Sequence, residues 1–301
     1  MYGEDELASG GGARAEASLG LRCMARRVVL YLVLTLLVLT YIVPFLWMLS
    51  SSLKTDPQID TIPPIWIPRP MRWENYPEAL KYMPWGTYLF NTVVRYTVPS
   101  VIGKVVSAAI VAYGFARIPW RGRETVFFLC IATMMIPGAV TMIPMFVVYR
   151  KLGWLNTYLP MVVPAWFGSA YNIFMLRQFL RTIPEELSDA ARIDGCSELG
   201  ILARVIGPLM KPGLAVVALF AFVGCWSDYM GPLIYINASR DFPIALALES
   251  MAQTLGAHGA LKNTMPYMMA ISTLVVMPVL VLFFLAQRTF IEGIAITGLK
   301  G

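Results

Sequence analysis

Several charged and polar side chains interrupt the long apolar runs of this 301-residue sequence. Lys104 and Asp228 fall within such runs, where a charge is costly and usually functional in a membrane protein. Aromatic rings and amides, which stack on polar solutes or hydrogen-bond to them, occupy comparable positions. The sequence therefore predicts a hydrated solute path between apolar elements. Its candidate residues are Lys104, Asn172, Trp226, Asp228 and Tyr229.

The same side chains also have structural interpretations. Lys104 and Asp228 either line the path or pair across the two helices in the functional interpretation, whereas in the structural one Asp228 caps a helix break. Arg95 can extend its guanidinium outward to the membrane surface. Trp226 and Tyr229 can serve as packing residues, because aromatic side chains bury large apolar areas. These alternatives stay open on the sequence alone.

Motifs for self-contained enzymatic chemistry are absent from the sequence. It contains no H-E-x-x-H, no G-x-S-x-G and no phosphate-binding G-x-x-x-x-G-K-[ST], and it lacks paired membrane aspartates. The four cysteines, at positions 23, 130, 196 and 225, form no C-x-x-C pair, and His258 has no second histidine nearby. The sequence predicts neither an enzyme nor an ATPase, and it predicts no metal site.

The apolar runs are long enough to cross a membrane. Hydrophobic residues make up 57% of the chain and charged residues 14%, whereas soluble proteins have about a quarter of their residues charged. A helix that crosses the bilayer needs roughly 20 residues. We therefore predict an all-α membrane protein with six transmembrane helices. Their approximate bounds are 28–50, 87–115, 125–149, 158–180, 213–236 and 266–287.

The distribution of Lys and Arg predicts how these helices are oriented. With the N-terminus in the cytoplasm, fourteen basic residues fall inside and eight outside, which favours an N-in, C-in topology. We expect a flexible cytoplasmic tail at 1–27, a transmembrane domain at 28–290 and a second cytoplasmic tail at 291–301. The external loop 51–86, rich in Pro and Trp, suits a structured lid. The net charge of +6 needs no nucleic acid partner, since cytoplasmic loops are basic in any case.

A polar segment at 182–212 separates the fourth and fifth predicted spans. Thr182 and Glu185 have the spacing of a capping box at a helix N-terminus. Gly195 predicts the end of that helix, because glycine readily adopts the left-handed conformation of a C-terminal cap. The segment is therefore predicted to form a cytoplasmic helical hairpin hinged at Gly195.

Ser197 can cap the second helix of this hairpin, which the sequence predicts to end near Gly207-Pro208. The first helix carries alanines and acids, whereas a helix that lies on lipid carries bulky apolar residues and a basic face. Acidic side chains are disfavoured beside anionic lipid. We interpret the hairpin as a protein-docking element, with a lipid-surface helix as the alternative. Its predicted docking residues are Glu186, Asp189, Ala190, Ala191, Asp194, Gly195 and Pro208.

The hairpin resembles the EAA loop of binding-protein-dependent ABC importer permeases, in the form found in the carbohydrate (maltose-type) subfamily. Residues 189–191, DAA, correspond to E-A-A, Gly195 corresponds to the family glycine, and Pro208 corresponds to the family proline. The sequence ARIDG at 191–195 is typical of the carbohydrate subfamily. The resemblance therefore rests first on the segment that the residues themselves mark as a docking element.

Further stretches resemble the same subfamily in the same order along the chain. They are FLWMLSSSLKT, AYGFAR, FMLRQFLRTIPEEL, CWSDYMGPLIY and QRTFIEG…GLKG. Three loop positions depart from the family pattern, with Asp189 for glutamate, Val205 for isoleucine and Gly207 for leucine. The final GLKG departs from the more usual AVKG. The resemblance covers nearly the whole chain.

The resemblance implies the type I ABC importer permease fold, with a cytoplasmic coupling helix that docks into a separate ATPase subunit. It implies that Gly298 and Lys300 contact that ATPase, which binds ATP and Mg²⁺, so this chain holds no cofactor. The implied partners are a second, homologous permease in a heterodimer, an ATPase dimer, an extracytoplasmic substrate-binding protein, a sugar and membrane lipid. The implied location is the prokaryotic cytoplasmic membrane.

Two other transport functions remain alternatives. The same importer class can carry a phosphorylated polyol such as a glycerol phosphate compound, for which Lys104 in the path suits the anion. A free-standing secondary transporter needs coupling-ion sites and often contains inverted repeats, and no such repeat occurs in the sequence. The docking hairpin favours the importer, because such a hairpin has no role without a separate motor.

Overall fold

The computed structural model describes residues 5–257 and 264–298, and within them the side chains of 24–253 and 265–287. These ranges are helical and contain no strand, in agreement with the predicted all-α class. The α-helices are α1 (Asp5–Ser52), α2 (Asp56–Ile59), α3 (Asn75–Tyr82), α4 (Trp85–Phe90), α5 (Val98–Arg117), α6 (Arg123–Ala132), α7 (Gly138–Lys151), α8 (Leu159–Val162), α9 (Ala170–Leu180), α10 (Glu186–Ile193), α11 (Glu198–Gly200), α12 (Gly207–Trp226), α13 (Met230–Tyr235), α14 (Ile244–Ala257) and α15 (Thr264–Gly298).

Five helical segments of the described chain are long and apolar enough to cross a membrane, and a bent pair makes a sixth if it counts as one span. Four of the five match predicted spans to within a few residues, because a long apolar run defines a span by length and composition alone. The five are Met24–Ser52, Trp85–Arg117, Leu159–Leu180, Glu198–Trp226 and Met265–Gln287.

The third predicted span, 125–149, is divided between two helices in the structure. After α6, a 3-10 turn at Thr133–Met135 follows, and the chain bends by 96° before α7 begins. Pro137 explains the break, because the residue before a proline avoids the helical region. Ile136 is accordingly extended, with φ −78° and ψ 115°.

The fifth predicted span, 213–236, is wrong at both ends. The helical segment begins at Glu198 and ends at Trp226, and α13 follows as a separate short helix. The second helix of the predicted hairpin therefore continues directly into the membrane and does not end at Gly207-Pro208. The second helix of the hairpin and the span are therefore one continuous helical segment.

A widened turn lets this helix pass through Pro208. Residues Ile201–Ile206 form a π-helical turn, in which the Gly207 N–H donates to the carbonyl five residues earlier. Because the hydrogen bonds in this turn already run to the fifth residue back, the missing N–H of Pro208 removes no regular α-helical hydrogen bond. The same arrangement precedes Pro99, where Asn91–Thr97 is π-helical and leads into α5.

The first helix begins at Asp5, so it extends into segment 1–27, for which the sequence predicts a flexible tail. That segment contains no proline, so no backbone hydrogen bond is removed from a helix there. In Met24–Ser52, none of the most apolar window is buried within the chain. This surface requires lipid or protein around it, because exposed apolar area is costly in water.

Two clusters of buried side chains hold the described bundle together. The first packs the hairpin against α5, α9 and α12, and its fully buried members are Ala108, Ala112, Leu176, Leu180, Ile201, Ile206, Met210 and Val217. The second joins α4, α12, α14 and α15, and it contains Trp85, Tyr88, Trp226, Ala247, Met251 and Ile271. The hairpin is thus continuous with the packed core.

The loop 51–86 is structured, with α2 and α3 inside it, while its role as an external lid stays a prediction. Lys54 and Asn75 are both fully buried in it. The amide of Asn75 donates to the carbonyls of Ser52 and Lys54, at 2.8 Å each. These bonds attach the start of α3 to the end of α1.

Candidate functional site

The first helix of the hairpin, α10, ends as the sequence predicts. Gly195 has φ 78°, in the left-handed region that favours glycine. Its N–H donates to the Arg192 carbonyl at 3.0 Å, and the Cys196 N–H donates to the Ala191 carbonyl at 3.0 Å. These two bonds form a Schellman cap, which fixes the direction in which the chain leaves α10.

The predicted capping box at the start of α10 does not form. The Thr182 hydroxyl donates backward to the Phe179 carbonyl at 2.7 Å, because it lies in the turn that closes α9. The N-cap residue of α10 is Glu185, whose side chain makes no capping bond. At the second helix the prediction is confirmed, since the Ser197 hydroxyl accepts from the Gly200 N–H at 3.3 Å.

α10 has one buried face and one exposed face. Ser188 and Ala191 are buried, so Ala191, a predicted docking residue, packs inward. Ile193 and Leu199 are 87% and 71% exposed, and the sequence did not single them out. The predicted docking residues that are exposed are Glu186, Asp189, Ala190, Asp194, Gly195 and Pro208. The hairpin therefore presents an acidic surface with two bulky apolar side chains beside it.

Arg192 connects α10 to the membrane helices on either side. Its Nε donates to Glu198 at 2.8 Å, at the start of the helix that continues into α12, and Nη2 donates to the Arg117 carbonyl at 3.3 Å, at the end of α5. The Tyr113 hydroxyl, on α5, donates to the same Glu198 carboxylate at 2.6 Å. The hydrogen bond with Glu198 raises the pKa of Arg192, so this guanidinium stays charged.

Two buried arginines attach the other end of the hairpin. Arg117 donates from Nη2 to the carbonyls of Leu180 and Ile183, at 2.8 and 2.5 Å. Arg177, on α9, pairs with Glu124 at 2.5 Å, on α6. Arg117 thereby supplies donors to two carbonyls in the turn that follows α9, in line with the need of buried backbone groups for partners. Both ends of the hairpin are bonded to the bundle.

Sequence reasoning assigned no role to this bonding network. Arg117 and Arg177 lie in AYGFAR and FMLRQFLRTIPEEL, two stretches that resemble the importer family, and that was the only signal. The partners themselves lie far apart in sequence, as Tyr113 and Glu198 are 85 residues apart. No local pattern predicts such a pair.

Lys104 and Asp228 do not pair with each other in the described part of the chain. The Lys104 ammonium lies 3.8 Å from the Cys225 sulfur. Asp228 accepts from the Tyr96 hydroxyl at 2.5 Å and from the Gly231 N–H at 3.0 Å. The second bond caps α13, which is the structural interpretation of Asp228.

Trp226 is a packing residue. Its indole is buried, donates to the Val275 carbonyl at 3.1 Å and stacks on Phe222 with ring centroids 5.4 Å apart. Asn172 is also buried, and Tyr229 is half-buried. Of the five predicted path residues, Trp226 therefore belongs to the packed core.

Arg95 does not extend alone to the membrane surface. Its guanidinium pairs with Asp241 at 2.7 Å and donates to the Asn91 amide oxygen at 3.3 Å. Asp241 lies in the loop before α14, so the pair joins the second apolar span to that loop. In the structure Arg95 therefore links the second apolar span to the loop before α14.

The breaks in the apolar segments surround a cavity of about 530 Å³. Its walls come from α7 after the bend at Pro137, from α8 and the turn behind it, and from α13. Residues that line it include Met142, Met145, Tyr149, Pro160, Met230 and Tyr235. None of the five predicted path residues lines this cavity. Breaks in membrane helices are tolerated where they line a cavity. The bent segments therefore indicate a possible solute path, as charged residues within spans do.

The predicted contact of the C-terminal tail lies at the limit of the described chain. Gly298 is the last residue of α15, and Lys300 lies outside the described residues, as does His258. The contact stays a prediction.

Over residues 104–295 the chain matches the family described as "Binding-protein-dependent transport system inner membrane component". It is 31% identical over 226 residues to the arabinooligosaccharides transport system permease protein AraQ of Halalkalibacterium halodurans, over 75% of this chain and 77% of the relative. It is 28% identical over 274 residues to the sulfoquinovosyl glycerol transport system permease protein SmoH of Agrobacterium fabrum, over 90% of this chain and 93% of the relative.

A solved structure has the same fold. It is the crystal structure of a bacterial ABC transporter involved in the import of the acidic polysaccharide alginate, with a TM-score of 0.77 and 24% identity over 87% of this chain and 95% of that chain. The family match covers the hairpin and most of the described spans. The chain therefore belongs to the inner membrane components of binding-protein-dependent transport systems, the family that its hairpin and flanking motifs predict.

Proposed function

We propose that this chain is a permease subunit of an ATP-driven importer, and that it moves a saccharide across the cytoplasmic membrane by alternating access. The observation that carries the proposal is the attachment of α10. Its outer face is exposed, while Arg192 bonds it to the helices on both sides. A helix held in this way moves together with α5 and α12, so a force on its exposed face reaches the membrane.

In this proposal the chain has six spans with both termini in the cytoplasm, so the hairpin faces the cytoplasm. The exposed acids of α10 dock into a separate ATPase subunit, which binds ATP and Mg²⁺. The chain itself has no phosphate-binding loop. A second, homologous permease completes the membrane part, and a substrate-binding protein delivers the solute from outside. The exposed apolar surfaces of α1 and α7 suit a partner helix or lipid.

The relatives support a saccharide as the solute. The names of those described above refer to arabino-oligosaccharides and to sulfoquinovosyl glycerol, and a third relative, from Bacillus subtilis, is named for polygalacturonan and rhamnogalacturonan. All are sugars or sugar derivatives, and the acidic ones differ from the neutral ones in charge. We therefore propose a carbohydrate substrate.

An anionic solute such as a phosphorylated polyol is a second candidate. Lys104 lies within the second span, its ammonium lies 3.8 Å from the Cys225 thiol, and it forms no ion pair within the described chain. An ammonium without a carboxylate partner in a membrane span can accept an anion. Unchanged uptake of the solute by Lys104→Met would remove this candidate.

The proposal is tested first by purifying the tagged protein from its native membrane in a mild detergent and identifying every retained protein by mass spectrometry. We expect an ATPase, a second permease and a binding protein, and the ligand of that binding protein indicates the solute. The second measurement is transport by Gly195→Trp, which we expect to be lost. If the wild-type chain is recovered alone and Gly195→Trp still transports, a free-standing secondary transporter is the better explanation.

A further inference from the structure

The segment 61–73 of the loop after α1, TIPPIWIPRPMRW, exposes several large apolar side chains. Ile62, Ile67 and Trp73 are 93%, 64% and 63% exposed, and Trp66 is half exposed. Protein surfaces in water rarely gather so many bulky apolar groups unless a partner or a membrane covers them. The segment therefore requires a surface that contacts it.

The segment turns back along the end of α1. The rings of Trp66 and Trp47 meet edge to face with their centroids 5.2 Å apart, and the Ser50 hydroxyl donates to the Trp66 carbonyl at 2.5 Å. Trp47 lies five residues before the end of α1 at Ser52, which is about 7.5 Å along a helix. Trp66 therefore lies beside the last turns of α1 and not beyond its end.

The last turns of α1 have the depth of the lipid head groups. The apolar segment Met24–Ser52 has 29 residues, which is about 43 Å as a helix, whereas the hydrocarbon core of a bilayer is about 30 Å thick. A span of this length that is centred in the core extends about 7 Å beyond it at each end. Trp47 and Trp66 then lie at the boundary between hydrocarbon and head groups, where tryptophan is enriched in membrane proteins.

We propose that segment 61–73 lies in the membrane interface, with its apolar side chains in contact with lipid. In the topology proposed above, this is the interface of the outer leaflet. The segment contains no Asp or Glu, and the acids Asp60 and Glu74 mark its two limits. Its attachment to the membrane rests on buried apolar area, which sets the strength with which interfacial segments bind.

The backbone of the segment suits this depth. A non-helical chain cannot satisfy its N–H and C=O groups within hydrocarbon, so it must stay at the level of water and head groups. Four of the thirteen residues are prolines, which have no N–H to leave unpaired. The Gln58 amide donates to the Arg69 carbonyl at 2.8 Å, and the Arg72 N–H donates to the Leu53 carbonyl at 2.9 Å. These bonds hold the second half of the segment against α2 and the end of α1.

Lipid covers this surface better than a single partner helix does. Each side chain in 28–34, nearly two turns of α1, is at least 46% exposed, so the helix is exposed around its whole circumference there. A packed helix contacts only one side of its neighbour. Exposed apolar side chains continue along α1 to Leu46 and Leu49, so the lipid around α1 also meets the segment. The inference requires only that α1 crosses a membrane, and it stands whether or not the chain imports a sugar.

The experiment is electron paramagnetic resonance of a nitroxide label at Ile67→Cys, in a chain whose four native cysteines are replaced by alanine. The chain, with every partner that it retains, is purified in mild detergent and placed in nanodiscs of dioleoyl phosphatidylcholine. Collisions of the label with apolar O2 and with a polar nickel complex are measured. A label in lipid meets mainly O2, a label in water meets mainly the nickel complex, and a label covered by protein meets neither.

We expect the ratio of O2 to nickel collisions at position 67 to lie near that of Val38→Cys, an exposed position at the middle of α1, and several-fold above that of Glu74→Cys. Glu74 is the matched control, because it is exposed and lies just outside the segment. Ile62→Cys repeats the measurement at a second position and should give the same result. A ratio at position 67 equal to that at position 74 overturns the proposal, since the segment then faces water. Exclusion of both probes also overturns it, because a protein partner then covers the segment.

Discussion

The guanidinium of Arg192 and the carboxylate of Glu198 lie 2.8 Å apart, on opposite sides of the turn at Gly195. Arg192 lies on the first helix of the hairpin and Glu198 on the second, so their bond fixes the angle between the two helices at the Gly195 turn. Tyr113, from α5, bonds the same carboxylate. This ion pair and this hydroxyl therefore fix the angle between the two helices of the hairpin and join it to α5.

Removal of this ion pair should uncouple the importer. In Arg192→Met the bonds of α10 to Glu198 and to the end of α5 are lost, so α10 is held to α5 and α12 by packing alone and follows their movement less closely. We expect the number of solute molecules transported per ATP to fall about tenfold, while ATP hydrolysis by the partner continues. The measurement is transport and hydrolysis by the complete importer in vesicles. Arg204→Met is the control, and a parallel loss of both activities would show that the variant has only failed to assemble.

The turn at Gly195 allows a comparison of two glycines with similar positive φ angles. Gly195 and Gly122 have φ of 78° and 84°, and a Cβ on either meets no atom within 4 Å. Gly195→Ala and Gly122→Ala should therefore each cost about 1 kcal/mol of unfolding free energy through backbone strain alone. Only Gly195→Ala should also lower transport per ATP. Thermal unfolding in detergent and coupled transport measure the two effects, and equal uncoupling by both variants contradicts a special role for this hinge.

The π-helical turn before Pro208 makes a steric prediction. A Cβ at Gly207 would lie 2.8 Å from the Leu202 carbonyl oxygen, whereas a Cβ at Gly224, in the same helix, meets nothing within 4 Å. We expect Gly207→Ala to destabilise the chain by about 1–3 kcal/mol, because the widened turn must shift. Gly224→Ala should instead stabilise it by up to about 1 kcal/mol through helix propensity. Unfolding by denaturant in detergent tests the pair, and equal effects would refute the close contact.

The lid should detach at low pH in a way that depends on Tyr267. The hydroxyl of Tyr267, on α15, bonds Glu78 on α3, and Arg72 pairs with the same carboxylate at 2.8 Å. The Tyr267 bond first, and then the charge of Arg72, hold the pKa of Glu78 below its usual value of 4.5. Because this pKa is lowered by folding, the attachment contributes stability above pH 4.5 and loses it as pH falls through the lowered value.

Tyr267→Phe removes the largest cause, so the pKa of Glu78 should rise toward its usual value and the lid should loosen at a higher pH. Hydrogen exchange of the amides in 75–82, followed from about pH 6 to pH 3 and corrected for intrinsic rates, measures this. Tyr31→Phe, in an exposed position of α1, is the control. An unchanged pH profile in Tyr267→Phe would exclude the bond as the attachment.

Several features of the site could be predicted from the sequence because each depends only on residues a few positions apart. Gly195 ends α10 since glycine alone adopts its backbone angle freely, and Ser197 caps the next helix through a bond three residues away. The capping box at Thr182 failed although its spacing was correct. The carbonyls that close α9 compete for the same hydroxyl, and a spacing rule does not include that competition.

The sequence by itself determined the helical class, the length of most spans, the hinge of the hairpin and the family. These depend on apolar runs, on the backbone freedom of glycine and on ordered motifs, all of which are local. Only the tertiary structure decided that the chain bends by 96° at Pro137 yet passes straight through Pro208. Before Pro208 the helix widens into a π-helical turn, whereas before Pro137 the chain becomes extended at Ile136 and the helix breaks, although both sites contain a proline. Likewise, only the fold brings Tyr113 to Glu198, because a bond across 85 residues has no local cause.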